Sequence, residues 1–475
     1  IPVFLLGWST NNESESLTFR KNKLRFSHED ENFTTRYADK EDVEKMLNEA
    51  DYSWPCAKPE WRPTGSVADY FKEISFGQLK VEFVIVPAGN NPNPDSNNLD
   101  DYAYYINDDY KKYGGNSVVT KKLEQTHLKE MLKTAKANYK KVGKEFNVDH
   151  VKGKQVGDFE LDQSLLIIQA GLGAEHNNLS AFNDKEGFVH SQERSAKIHE
   201  YDVDDFDEVG EFNLRGYTIQ PFLRSFSTSG IPEERLRDCS ISTIGVLTHE
   251  AGHAFGPPDL YQGNKDSGHG AGYLPIMASG NLGNSSNVGA GSGAAKKMSG
   301  FLPTFPISYI REFISRGGKQ SRYFDMEVIE IKSTQTDIEI YPANDVNKVY
   351  KIHHPSTDDV WWVEYRTNES TGYKINYDKF IQDSGLAIIH FAENSTARSS
   401  KPNHRRGESG YMISIEQHDG KYELERAVGG SRQILSNMFK EGHEFSPYTV
   451  PSSISRAGVP SGIKIHNIRK TNRGS

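Results

Sequence analysis

The sequence predicts an α+β protein in two parts: a mixed-sheet domain built around one functional helix, then a β-rich, sandwich-like domain. Three observations predict it. Continuous apolar runs bounded by turn residues, IPVFLLGW at the start and LLIIQAG at 165–171, read as buried strands of a first sheet. The segment ISTIGVLTHEAGHAF carries Ile244, Leu247, Ala251 and Ala254/Phe255 on one stripe, which is helical spacing. From about residue 320 the pattern changes to short alternating runs separated by turn clusters: DMEVIEIK, VWWVEYR, GLAIIHF and YMISIEQ.

At 475 residues the chain exceeds what one core usually organises, so more than one domain is expected. The expected boundary follows the Gly pair of SRGGKQ, giving domains 1–318 and 319–475. With 35% apolar and 25% charged residues the composition is that of a globular protein. The net charge of −9 argues against a nucleic-acid surface, which needs clustered Lys and Arg. No apolar run approaches the roughly 18–20 residues that span a bilayer. The opening run lacks the basic region and small-residue cleavage site of a signal peptide, and so reads as a first strand. Two cysteines, Cys56 and Cys239, allow one disulfide or two thiols.

Along the chain, VEFVIVP (81–87) reads as a strand running into the turn-rich NNPNPDSNNLDDYAYY. Leu128, Met131, Leu132, Ala135, Tyr139 and Val142 recur at three- and four-residue spacing and predict a helix with one buried face. The Asn- and Asp-rich loop and the acidic stretch DVDDFDE (202–208) offer oxygens to Ca²⁺; without EF-hand spacing, a solvated loop is the favoured reading of both. NLGNSSNVGAGSGAAKKMSG reads as a long surface loop, and a short helix near ISYIREFI follows it. In VWWVEYR, Trp361 and Trp362 are open to two readings: exposed aromatics that serve a binding surface, or one indole packed in the core and the other covering the opposite face of the strand.

The chemistry concentrates in HEAGHAFGPPDLYQ (249–262). On a helix expected over about 241–255, positions i and i+4 lie one above the other, so His249 and His253 can chelate one metal ion. Glu250 lies about 100° around the helix and reaches a water held at the metal rather than the metal itself. Gly256 suits the left-handed position that ends a helix, and Pro257 and Pro258 cannot continue it. Asp259 is then the first ligating side chain past the turn, and three ligands with one open position describe a catalytic Zn²⁺ site. Glu312, farther along, is the rival third ligand. Tyr261 is open to three readings: an oxyanion donor, a hydrogen-bond partner of a ligand, or a packing tyrosine. In YLPIMASG (273–280), Met277 sits in a turn-rich stretch 18 residues past Asp259, at the place of a methionine turn (about 275–280) under a metzincin metal site.

HEAGHAFGPPDLY followed by LPIMASG resembles the immune inhibitor A-type secreted metallopeptidases. SVADYFKEISFGQLKV, LLIIQAGLGAEHN with GFVHSQ, GVLTHE, VWWVEYR, GLAIIHF and ISIEQHDGKYEL resemble further segments of that family, so the likeness covers most of the chain. Metzincins in general carry a third histidine at the position of Asp259; the closer resemblance implies an aspartate there. It also implies a metzincin-like catalytic domain and secretion. The expected activity is a zinc endopeptidase acting on protein or peptide substrates, with His249, His253 and Asp259 as ligands, Glu250 as general base and acid, and Met277 in support. The alternative is a secreted binding or adhesion protein on a metallopeptidase scaffold that no longer cleaves.

Overall fold

The computed structural model describes residues 1–9, 17–20, 23–26, 36–38, 40–86, 103–107, 164–172, 192–195, 216–223, 241–262, 270–283, 300–316, 323–369, 375–381, 383–392, 410–426 and 438–471, with the separate positions 127, 130, 131, 134, 137 and 403. It is a mixed α/β chain with two compact units. The first lies within Ile1–Tyr70 and Lys80–Ala254, the second within Phe71–Leu79, Phe255–Gly291 and Met298–Ser475. The residues on either side of 318 and the acidic stretch 202–208 lie outside the described residues, as does most of the loop before Ala103 and most of the expected helix over 128–142. Met131 of that helix is helical and fully buried.

Among the described residues, the first unit holds a nine-stranded mixed sheet. Its centre is β1 (Pro2–Ser9), the apolar opening of the sequence, with Val3 to Leu6 at most 1% exposed. Around it are β2 (Leu17–Arg20), β3 (Lys23–Phe26), β4 (Arg36–Ala38), β5 (Val84–Ile85), β6 (Ala103–Asn107), β7 (Ser164–Leu172), β8 (Gln192–Ser195) and β9 (Gly216–Leu223). β1 pairs in parallel with β5, β6 and β7, and β7 in parallel with β9. The hairpins to β4 and the edge strand β8 are antiparallel. A strand paired in parallel on both sides is covered on both faces, which is why β1 and β7 read as unbroken apolar runs. The expected strand 81–87 shortens to Val84–Ile85, which meets only Pro2 and Val3 of β1 and leaves Val84 exposed. Helix α1 (Lys40–Asn48) buries Val43, Met46 and Leu47; α2 spans Val67–Ile74.

The second unit holds a five-stranded sheet in sequence order: β10 (Glu327–Glu330), β11 (Lys348–His353), β12 (Val360–Arg366), β13 (Gly385–Phe391) and β14 (Ile413–Ile415). Only β10 and β11 run parallel. Among the described residues no second sheet completes a sandwich. The chain from Phe439 to Ile468 covers one face instead, placing Phe439, Phe445, Ile463, Ile465 and Ile468 against Trp361 and Ile388. The other face of β12 meets α4 (Ser308–Arg316), which follows α3 (Ile244–Gly252) in the chain.

Strand β12 shows how the pleat sorts side chains between these layers. Its even positions form the anchor for α4. Trp362 Nε1 donates to Glu312 Oε2 (2.6 Å), and Ser308 N donates to Glu364 Oε2 (2.6 Å). Arg366 Nη2 donates to the Phe305 carbonyl (2.6 Å). Its odd positions, Trp361 and Val363, face the C-terminal layer. The sheet is therefore covered on both sides and neither tryptophan is exposed: Trp361 is 0% and Trp362 5% accessible. The expectation of an exposed indole for binding is corrected on this point. Period-2 alternation was legible in the sequence, but the cover on the second face was not.

Candidate metal centre

The helix carrying the histidines is α3 (Ile244–Gly252), and it continues as a 3-10 turn over His253–Phe255. Every residue of α3 is buried, which its small and apolar composition (IGVLTHEAG) permits. Its start is tied to the first sheet's β9. Ser242 N donates to the Phe222 carbonyl (2.8 Å) and Ser242 Oγ to the Pro221 carbonyl (3.0 Å). The buried Trp54 indole adds a third tie, donating to the Ile241 carbonyl (3.0 Å). Helix α3 thus leaves the carboxyl end of a parallel strand, the end at which open α/β sheets hold their ligands.

His249, Glu250 and His253 converge. One donor atom from each lies within 4.8 Å of the others, and the two imidazole rings sit 5.0 Å apart at 87°. His249 and Glu250 are buried, 3% and 7% accessible, and His253 is half-buried. Two nitrogens each about 2.0–2.1 Å from one Zn²⁺ lie at most about 4 Å apart, so donor atoms within 4.8 Å of one another are close to chelating distance. The two imidazoles are the group's candidate ligands and Glu250 stands beside them; among the described residues no thiolate joins them, which suits Zn²⁺ and other borderline divalent ions over soft ones. The residues present fit a metal.

Gly256 ends the helix with φ +91°, in the left-handed region that its place in the sequence predicts, and a Cβ there would meet the Phe313 ring at 3.2 Å. Phe255 packs between Phe71 (4.8 Å) and Tyr323 (5.3 Å). The chain passes from the first compact unit to the second between Ala254 and Phe255, so Asp259 and Met277 belong to the second. Asp259 is half-buried and is not one of the three converging residues. Met277 is buried, and its carbonyl accepts from the Leu260 N–H (2.7 Å), which ties the residue next to Asp259 to the Met277 segment through the backbone. Leu260's own carbonyl accepts from Ala271 N (2.9 Å) and Asn403 Nδ2 (3.0 Å). Tyr261 is 39% exposed.

Glu312, the rival ligand, is committed elsewhere in the second unit: Oε1 accepts from Lys351 Nζ (2.9 Å) and Oε2 from Trp362 Nε1 (2.6 Å). Sequence reasoning missed Asn403 and Tyr411, whose hydroxyl donates to Gln262 Oε1. KPNHRRGESGY carries no spacing that points to a metal site, and its partners lie about 145 positions upstream. Cys56 is disulfide-bonded. Cys239, the other cysteine of the sequence, lies outside the described residues. No known protein-family model matches the chain, and a search of curated proteins found no match.

Proposed function

We propose that the protein is a secreted zinc-dependent endopeptidase, with a metzincin-like catalytic domain, that hydrolyses peptide bonds in protein substrates. The observation that carries the reading is the convergence of His249, Glu250 and His253 on a buried helix that ends at a left-handed glycine. Two ligating imidazoles and an adjacent carboxylate are what metal-assisted hydrolysis needs, and the sequence supplies Asp259 as the third ligand just past the turn. The disulfide at Cys56 supports secretion, since disulfides persist in oxidising compartments.

A bound zinc ion supplies a Lewis acid that acidifies water and polarises the scissile carbonyl. The chain's own residues do the rest. His249 and His253 would hold the ion through ring nitrogens, and Asp259 would add a carboxylate oxygen. Glu250 takes a proton from the attacking water and returns it to the leaving amine. Its burial keeps competing water away from that carboxylate.

Glu250→Ala tests the assignment. It is expected to keep the fold and the zinc while casein cleavage falls by at least about 10²–10⁴-fold, the usual worth of a positioned acid–base group. A variant with wild-type turnover would remove Glu250 from the mechanism. A wild-type protein that binds zinc but cleaves nothing would favour the binding-protein alternative.

A further inference from the structure

We propose that Asn403 positions the third metal ligand, by clamping the backbone beside Asp259 to strand β14; this rests on the reading of Asp259 as a ligand. Asn403 is fully buried. Its Nδ2 donates to two carbonyls, Leu260 (3.0 Å) and Ile413 (2.6 Å), and its Oδ1 accepts from Ile413 N (2.9 Å). These three bonds fix the amide's orientation, because the flipped form would face both carbonyls with oxygen.

The effect on Asp259 follows from backbone geometry. The peptide plane joining Asp259 to Leu260 includes the Leu260 N–H, which Met277 O holds at 2.7 Å. The next plane includes the Leu260 carbonyl, which Ala271 N and Asn403 Nδ2 hold from two directions. The two planes flank Leu260, so its φ and ψ are held, and with them the position of Asp259 Cα, which lies in the first plane. A ligand oxygen has a tolerance of about 0.2 Å at a zinc ion, so this is the segment in which rigidity matters. Tyr411, also fully buried, adds a tie to Gln262 from just before β14. The five-stranded sheet thereby acts as the support of a ligand about 145 residues upstream.

A structural role alone would lower thermal stability and leave the metal's surroundings unchanged. The experiment therefore reads the metal: visible absorption of the Co²⁺-substituted protein, and zinc affinity by competition with a chromophoric chelator, both well below the melting temperature. Asn403→Ala is expected to shift the cobalt bands and weaken zinc 10–100-fold, the usual cost of losing a partner that orients a ligand. Tyr411→Phe, which keeps the ring and removes one hydroxyl, is expected to shift the bands in the same direction by less. It carries the test if Asn403→Ala does not fold. Unchanged bands and zinc affinity in the folded variants would overturn the inference, whatever happens to stability. Asp259→Ala is run alongside. If it keeps zinc, the ligand reading fails and the inference with it; if it releases zinc while both other variants retain wild-type affinity and bands, only the positioning role fails.

Discussion

Gly270→Ala should damage both stability and metal binding, though Gly270 touches no proposed ligand. Its φ is +60°, and a Cβ built there would lie 2.2 Å from the Leu260 carbonyl oxygen, 2.7 Å from Tyr261 Cα and 2.9 Å from Gln262 N. All three contacts are backbone, so no side-chain rotation relieves them. The left-handed conformation costs an alanine about 1–2 kcal/mol. Opening the 2.2 Å contact by about an ångström breaks the Ala271–Leu260 hydrogen bond and strains the Asn403–Leu260 one, adding about 1–2 kcal/mol. The expected loss is therefore about 3 kcal/mol, measured by urea denaturation of metal-free protein. Zinc-loaded protein should lose more, because the displaced segment is the one that presents Asp259, and weaker zinc binding lowers the stabilisation by bound ligand. Gly256→Ala is the control: its Cβ meets only the edge of the Phe313 ring at 3.2 Å, so the loss should stay near the conformational cost of about 1–2 kcal/mol. A Gly270→Ala loss below about 1 kcal/mol with zinc affinity unchanged would refute the reasoning.

Three further outcomes follow from buried charges in the second unit. Arg366 is fully buried between Asp378 and Glu364; burial opposes its charge, but the two carboxylates outweigh that and raise its pKa. Arg366→Met strands both carboxylates and should cost about 3–5 kcal/mol in urea denaturation, against which a loss under 1 kcal/mol would count. His390 lies between Asp359 Oδ1 and Glu416 Oε1, each 2.8 Å away, and is stacked on Trp361. Burial pulls its pKa down, but the two carboxylates hold it above 6.5; the same pairing outweighs burial at Asp359 and holds its pKa below 3.8. The raised histidine contributes stability in full below pH 6.5 and loses it as pH climbs through the folded value. The depressed aspartate loses its contribution as pH falls through its own folded value. The melting-temperature gap between wild type and His390→Gln should therefore shrink as pH rises above neutrality, and a gap constant to pH 10 would contradict this. Glu312→Gln should keep one zinc per chain while destabilising the protein, because buried Lys351 loses its partner; loss of zinc would restore Glu312 as the third ligand.

Local signals in the sequence were legible where local physics decides the outcome. The apolar runs at 1–8 and 165–171 became β1 and β7, and HEAGH lies on a helix that ends at Gly256 as the Gly-Pro-Pro sequence requires. The strands 360–366 and 385–391 were equally plain. What the sequence did not show were contacts between distant segments. The burial of both Trp361 and Trp362 depends on α4 on one side and the chain after Phe439 on the other. The pairing of Asp359, His390 and Glu416 joins β13 to the residue before β12 and the residue after β14. Asn403 meets Leu260 across 143 positions, with no periodicity to announce it. Period and capping are properties of neighbours along the chain, whereas these contacts follow from topology.

The most direct test of the metal centre is elemental analysis of the wild-type protein beside His249→Ala and His253→Ala, paired with casein cleavage with and without chelator. One zinc per wild-type chain is expected, with cleavage abolished by chelator and restored by added zinc, and neither metal nor activity in the two variants. Cleavage that persists in metal-free wild-type protein, or zinc retained at one per chain in both variants, would contradict this.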